Sequence, residues 1–302
     1  MAGWRAGASE EAFGALAEAR AEDYSDRAGF DPDFLGPGLR VELPVKVDGA
    51  DVLTYEELDG TVRSELPYTH FSVAMSVSRR LCLWSAVNID GLTSVGGERP
   101  SWRIDPRIRA EQQTLPNRDP SLDVYGDSPR FARGHITRRE DPIWGQDAAI
   151  RMLGNRDSMH YTNVAPQMQT FNGDIWLKLE DYALQNARRE DMRISVITGP
   201  IFTDQDPMKF GTRIPVEFWK VIAFVHEQTG ELSASAYTLS QQEQLVHEAL
   251  FNDFEGAEQK PLRTIEERTG LTFGALTDHD ALHGDETLAR PLTSLDQIRF
   301  TG

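Results

Sequence analysis

Arg133-Gly134-His135-Ile136-Thr137-Arg138-Arg139, then Thr162-Asn163-Val164-Ala165-Pro166-Gln167, then Phe171-Asn172-Gly173-Asp174-Ile175-Trp176-Leu177-Lys178-Leu179-Glu180-Asp181 are the three segments on which the reading of this chain turns. Each alone is a weak signal; their order and spacing together are specific. Asn163 and Asn172 stand nine positions apart, and Asn172 and Glu180 eight. From Asn172 to Arg189 the side chains of Ile175, Leu179 and Tyr182 recur at i, i+4 and i+7, which predicts an amphipathic helix.

Upstream, Phe71 to Val77 alternates with period two, Ser78-Arg79-Arg80 makes a turn, and Leu81 to Asn88 is a second apolar strand. Downstream, Arg193 to Ile201 and Pro215 to Val225 read as two more strands. Residues 110–130 are polar and carry prolines, hence loop. Thr264-Ile265-Glu266-Glu267 reads as a capping box and Gly270 as the stop of the helix it would open. Residues 9–28 are rich in Ala and Glu and read as helix, and 29–45 carry Gly29, Pro32, Gly36, Pro37, Gly38 and Pro44, the composition of an extended linker. The expected organisation is an acidic N-terminal extension over residues 1–45, packed on the body or on a partner, and one α+β domain over 46–302.

Composition bounds the function. The 302 residues suffice for a substantial core, and the net charge is −17. Taken whole, that charge argues against binding phosphates. Its placement changes the argument. Residues 1–60 hold 14 acidic and 5 basic side chains, a net of −9, whereas residues 129–160 hold six arginines against four acids. A locally basic site on an acidic body suits phosphate chemistry. The single cysteine, Cys82, excludes an internal disulfide and a multi-cysteine zinc site, and in Leu81-Cys82-Leu83-Trp84 it reads as a small buried hydrophobe. No apolar run approaches the ~20 residues needed to span a bilayer, so no membrane association is expected. The N-terminus lacks the apolar stretch of a secretory signal, which points to the cytoplasm, with secretion through a removed leader as the alternative. Asp278-His279-Asp280 and His283 have the look of a metal cluster but lie in a Gly- and acid-rich stretch without apolar framing, and a solvated loop is expected.

In these residues the chain resembles the DNA/RNA non-specific endonuclease family, which includes secreted bacterial nucleases and mitochondrial endonuclease G. That family carries an RGH motif, an (S/T)N-x-x-PQ motif and an N-x-x-x-W-x-x-(L)E segment, in this order and at these spacings. Tyr68-Thr69-His70-Phe71, Val196 to Phe202 and Ile214 to Val221 also resemble its segments. The resemblance implies a ββα-metal (His-Me finger) fold, in which a central antiparallel sheet is flanked by helices and the N-terminal extension is helical. His135 would end a hairpin strand and Asn172 would open a helix packed across it.

The resemblance further implies a Mg²⁺-dependent, sugar-nonspecific endonuclease, with Mn²⁺ as a substitute and DNA and RNA as partners. His135 would be the general base and Asn172 the protein's metal ligand. Glu180 would bind a metal water. Arg133 would contact the phosphate, and Asn163 and Gln167 would hold the metal's water shell or orient the base. Arg99 would neutralise the transition state, with Arg103 as its rival. The chemistry needs such groups: a histidine with an ordinary pKa near 6.5 can take a water's proton, and Mg²⁺ keeps several waters, so one neutral oxygen ligand suffices. The chain departs from the family at Ala132, usually Asp, and over residues 134–145, which match a subgroup with Gly-His-(Leu/Ile)-x-Arg-Arg-x-Asp-Pro-x-Trp-Gly. Arg138 and Arg139 are therefore expected to contribute phosphate contacts. A cytosolic enzyme that cuts any nucleic acid needs restraint, so a regulatory protein or a homo-oligomer is expected, and the acidic arm is the candidate lid. The alternative function is a nuclease-fold binding or scaffold module that has lost catalysis.

Overall fold

The computed structural model describes residues 20–126, 131–168, 184, 185, 187–226, 229–242, 245, 257–284 and 289–292. Its frame is an eight-stranded antiparallel sheet. In chain order the strands used below are β1 (Leu66–Pro67), β2 (Phe71–Met75), β3 (Cys82–Asp90), β4 (Ala132–His135), β5 (Val164–Gln167), β6 (Arg193–Ile201), β7 (Glu217–Val225), β8 (Leu232–Ser240), β9 (Ala257–Lys260) and β10 (Arg290–Pro291). The sheet runs β10-β9-β8-β7-β6-β3-β2-β1, and β4 pairs only with β5, in a separate hairpin-like ladder.

The four central strands, β3, β6, β7 and β8, are each nine residues long and buried along nearly their whole length. Burial on both faces explains their unbroken apolar runs. One face carries Phe71, Val73, Val87, Val196, Phe218, Ile222 and Tyr237. The other carries Trp84, Ala86, Ile197, Trp219, Val221, Ala234 and Ala236. The strands expected around 71–77, 81–88, 193–201 and 215–225 are all present. Cys82 is buried, and burial holds its thiol protonated, well above its ordinary pKa.

Among the described residues, Ala148–Ser158 and Leu262–Thr269 are the complete α-helices. Helix α1 (Ala148–Ser158) starts at Asp147, whose side chain accepts the Ala149 N–H at 2.8 Å. Helix α2 (Leu262–Thr269) packs Leu262 and Ile265 on the second face. It opens two residues before the expected capping box. Its first N–H, that of Leu262, is taken at 2.7 Å by Asp280 Oδ2, a cap supplied from eighteen residues downstream. Gly270 ends it as expected, in a left-handed conformation with φ +65°. The same bond corrects the reading of Asp278 to His283 as a solvated loop: Asp280, Ala281 and Leu282 are buried. Among the described residues no group of three His, Cys, Asp or Glu could hold a metal.

Residues 20–45 are bound to the body. Tyr24 enters the first core, and Phe30, Phe34, Leu35 and Val41 enter the second. The crossing between the faces is made at Gly29 (φ +77°), where a Cβ would meet Ser72 Oγ at 2.6 Å. Of the helix expected over 9–28, residues 1–19 lie outside the description, and Ala21–Tyr24 form one 3₁₀ turn. Among the described residues no helix is long and apolar enough to cross a membrane.

Candidate active site

The β4–β5 ladder sets Arg133 opposite Pro166, Gly134 opposite Ala165 and His135 opposite Val164. Ile136 and Ala165 sink into the first core, so the ladder rides on that face of the sheet. Gly134 permits this closeness: a Cβ there would stand 2.0 Å from Gln167 Oε1 and 2.1 Å from its Cδ. The glycine between the arginine and the histidine is thus the seat of the Gln167 amide.

Three clamps hold the chain beyond His135. Asn163, fully buried, accepts the Thr137 N–H at 2.9 Å and donates to the Thr137 carbonyl at 2.8 Å and the Ser158 carbonyl at 3.0 Å. Its amide mimics a strand partner for the backbone two residues past His135, which makes it a positioning residue here. The Thr137 hydroxyl bonds Ser85 Oγ at 2.6 Å, anchoring the turn to β3. Farther on, Trp144 stacks on His70 at 3.5 Å and donates to the Asn88 carbonyl, while His70 Nδ1 lies 3.0 Å from the Pro142 carbonyl. The residues of the Gly-His to Trp-Gly stretch therefore weld the segment after His135 to the main sheet. Behind the ladder lies a buried polar network. Tyr68 donates to Asp105, which pairs with Arg107; Tyr24 contacts His160 Nε2 at 2.6 Å; and Arg27 pairs with Asp157 at 2.7 Å.

The front of the site is cationic and aromatic. Trp102 stacks on His135 with ring centroids 4.9 Å apart. The Arg99 guanidinium lies 5.5 Å from the Trp102 ring, and that of Arg133 lies 5.6 Å from it and within 5.9 Å of the Tyr125 and Tyr161 rings. Arg139 donates to the Gly97 carbonyl at 2.7 Å, to Asn155 at 3.2 Å and to Glu140 at 2.7 Å. It thereby ties the loop that carries Arg99 to α1. Burial, with the guanidiniums of Arg99 and Arg139 adding, pushes the His135 imidazole down to about 3. That departs from the ordinary value assumed for a general base. Burial and the like charges of Arg139 and Arg133 also lower Arg99.

Of the sequence candidates, His135, Arg133, Arg99 and Arg139 are brought together; Asn163 clamps Thr137 beside them, Gln167 pairs with Ala132 at the other end of the ladder with its amide against Gly134, and Arg138 is half-buried just past the end of β4. Arg103 is turned elsewhere: its backbone bridges to His160, and its charge acts on Tyr24. Asn172 and Glu180 lie outside the described residues, as does most of the helix expected over 172–189, of which residues 184, 185 and 187–189 are helical. The aromatic holders Trp102, Tyr125 and Tyr161 were not legible as site residues; the nearness of Trp102 to Arg99 in sequence was the one signal.

The resemblance implies a divalent metal, and the described residues can be tested for it. Among the described residues, His135 Nε2, both amide atoms of Gln167 and Arg133 Nε are buried without a hydrogen-bond partner. Buried polar atoms of native proteins are nearly always satisfied, and orphans mark a place meant for something else. The His135 acceptor and the Arg133 guanidinium share one face of the ladder and suit a phosphate, while the donor–acceptor pair of Gln167 is seated against Gly134 between them. These groups fit the phosphate side of such a site; Asn172, the expected metal ligand, lies outside the described residues.

The chain compares with known proteins as follows. The family model of the DNA/RNA non-specific endonucleases matches residues 49–280. An uncharacterised protein, y4fB, of Sinorhizobium fredii is 35% identical over 303 residues, covering 91% of this chain and 43% of that protein. A nuclease of Serratia marcescens is 27% identical over 64% of this chain and 68% of its own length. The mitochondrial endonuclease G of Bos taurus is 27% identical over 47% of this chain and 48% of its own. The chain thus spans under half the length of two of these three relatives. Among solved structures, that of an EndoG/EndoGI complex, described as addressing EndoG inhibition, superposes with a TM-score of 0.52 at 16% identity, over 72% of this chain and 87% of that one. The shared fold agrees with the antiparallel sheet and flanking helices found here. With three quarters of its length under one family model, the chain belongs to the DNA/RNA non-specific endonuclease family.

Proposed function

We propose that this chain is an endonuclease that hydrolyses phosphodiester bonds of DNA and RNA with a divalent metal, Mg²⁺ in the first place and Mn²⁺ as its substitute. The observation that carries the reading is the meeting of His135, whose Nε2 has no partner among the described residues, with Arg99 and Arg133 around Trp102 at the end of β4. His135, neutral and with a free lone pair, takes the proton of the attacking water. The water oxygen bonds to phosphorus, and the bond to the 3′ oxygen breaks. Arg99 and Arg133 neutralise the charge gathering on the phosphoryl oxygens. Gln167 contacts the phosphate or the attacking water, Arg138 and Arg139 add positive field, and Asn163 holds the backbone that carries the base. Asn172 would hold the metal and Glu180 one of its waters. When bound, the ion supplies charge neutralisation and a proton source for the leaving oxygen.

A supercoiled-plasmid nicking assay tests this. Wild type should nick and then linearise plasmid with Mg²⁺, EDTA should stop it, and His135→Ala should lower the rate by ~10²–10⁴-fold with its circular dichroism unchanged. A folded wild type that leaves plasmid and long RNA intact with either metal would instead favour the scaffold reading. A partner protein or self-assembly restrains the enzyme in this reading, and part of that restraint is assigned to the acidic arm. Deleting residues 1–19 should raise the rate at low salt, and the gain should shrink as salt rises. An unchanged rate and unchanged solution mass would remove residues 1–19 from regulation.

A further inference from the structure

We infer that Trp102 is a positioning residue of this site, a single indole that holds His135, Arg99 and Arg133 in one arrangement. The inference rests on the nuclease reading above and assigns a role to a residue outside the base, the arginines and the metal ligand. Trp102 contacts all three groups: the imidazole centroid stands 4.9 Å from its own with planes 29° apart, and the two guanidinium carbons stand 5.5 and 5.6 Å from it.

The physical reason is twofold. Arg99 and Arg133 are like charges held on one indole, 5.5 and 5.6 Å from its centre, and repel each other. The electron-rich face of an indole attracts guanidiniums within about 6 Å and offsets that repulsion without supplying a carboxylate. A carboxylate in its place would neutralise the charge the phosphate needs. Stacking also limits rotation of the His135 ring, so the same nitrogen always meets the water. Trp102 is itself anchored. Its neighbour Arg103 donates its N–H to the Met159 carbonyl at 2.9 Å and accepts the Tyr161 N–H at 3.0 Å, and Tyr161 lies 5.6 Å from Trp102, ring to ring. The indole is thus fixed to the same 159–163 turn whose Asn163 clamps Thr137, so base and arginines share one foundation.

The alternative role is that of filler for the small apolar cluster of Val124, Tyr125, Phe131, Tyr161, Val164 and Ile214, against which Trp102 packs. The two roles separate by substitution. Trp102→Leu keeps an apolar plug and removes the ring; Trp102→Phe keeps a ring. Val124→Ala loosens the same cluster through a residue without a role in the chemistry. These three, wild type and His135→Ala are compared on plasmid with Mg²⁺, with initial rates over a range of substrate concentrations and a melting curve for each. A misplaced catalytic group can cost up to about 100-fold, so Trp102→Leu should lower kcat by about 10- to 100-fold with KM within about threefold, and Trp102→Phe should recover kcat to within about fivefold of wild type. Val124→Ala should lower Tm and leave kcat unchanged. A wild type that cuts through His135, together with a Trp102→Leu variant of normal kcat, overturns the inference and leaves the nuclease reading standing. So does a kcat that falls in Val124→Ala in step with Tm, or a Phe variant no better than Leu. A wild type that does not cut at all overturns both.

Discussion

His135 carries a burden that its residue type alone does not reveal. Burial and the positive charges of Arg99 and Arg139 disfavour its imidazolium, so the ring stays neutral down to a pH of about 3. A neutral base is always ready, but a base this weak transfers protons with little driving force. In the proposed reaction a phosphate seated among the arginines would supply the missing negative charge and raise the pKa in the complex. Two pH profiles check this. The acid limb of kcat/KM, which reports the free enzyme, should show no His135 titration between pH 8 and 5. The acid limb of kcat, which reports the complex, should lie at higher pH. A kcat/KM limb near 6.5 would contradict the depressed value. Arg99 and Arg103 also part at this scale: they stand four positions apart, yet only Arg99 shares the field of His135.

The β4–β5 ladder is the element on which the site is built, and its critical dimension is the gap over Gly134. An alanine there would drive a methyl group into the buried Gln167 amide at 2.0 Å. Overpacking of this kind typically costs about 1–3 kcal/mol, and here the displaced group belongs to the site. Gly134→Ala should therefore lower both Tm and plasmid cleavage, and adding Gln167→Ser should recover Tm while leaving cleavage impaired. Full recovery of both by the double variant would remove Gln167 from the chemistry; no recovery of Tm would mean that the clash lies elsewhere. Asn163 works at the same scale: its amide copies a ladder pairing across a turn, and that arrangement sets the direction in which β4 leaves the site.

At the scale of the molecule, the N-terminal segment is part of the core. Tyr24, Phe30, Phe34, Leu35 and Val41 are buried on the two faces of the sheet, and each such side chain contributes roughly 1.5–3 kcal/mol on burial, together comparable with a typical domain's whole margin of about 5–15 kcal/mol. Removing residues 1–40 should abolish a cooperative melt near 37 °C, whereas removing residues 1–19 should leave it; a chain lacking residues 1–40 that melts like wild type would show the segment to be dispensable. The molecule should also be acid-sensitive. Burial lowers the pKa values of His70, His135 and His160 below 6.5, so the unfolded chain binds protons that the folded one refuses. That stability is complete above about pH 6.5 and is lost as pH falls below it, by roughly 1.4 kcal/mol per pH unit for each histidine not yet protonated in the fold. Urea midpoints from pH 8 to 4.5 should decline most steeply below 6.5. Replacing His160 by Gln, which cannot titrate, should flatten the slope, and an unchanged slope would exclude His160 from it.

The sequence by itself determined the family, the α+β class and four sheet strands, because those strands are buried on both faces and must be apolar throughout. It also marked Gly270, where a left-handed residue was required, and the His135 and Asn163 motifs, because a catalytic geometry tolerates few residue types at few spacings. Strand β8 escaped notice because Leu232-Ser-Ala-Ser-Ala-Tyr buries small and hydroxyl side chains that carry little apolar signal. Helix α1 escaped because it buries Gly154, Asp157 and Ser158 rather than an apolar stripe, and only Asp147 announced it. What tertiary structure alone decided are relations between residues far apart in the chain. The cap of α2 comes from Asp280, the N-terminal segment packs on both faces of the sheet, Arg99 rather than Arg103 acts on His135, and Trp102 gathers His135, Arg99 and Arg133. Local pattern records which face of an element is buried; it holds no record of which distant side chain is buried against it, and burial and charge at such contacts set the pKa of His135.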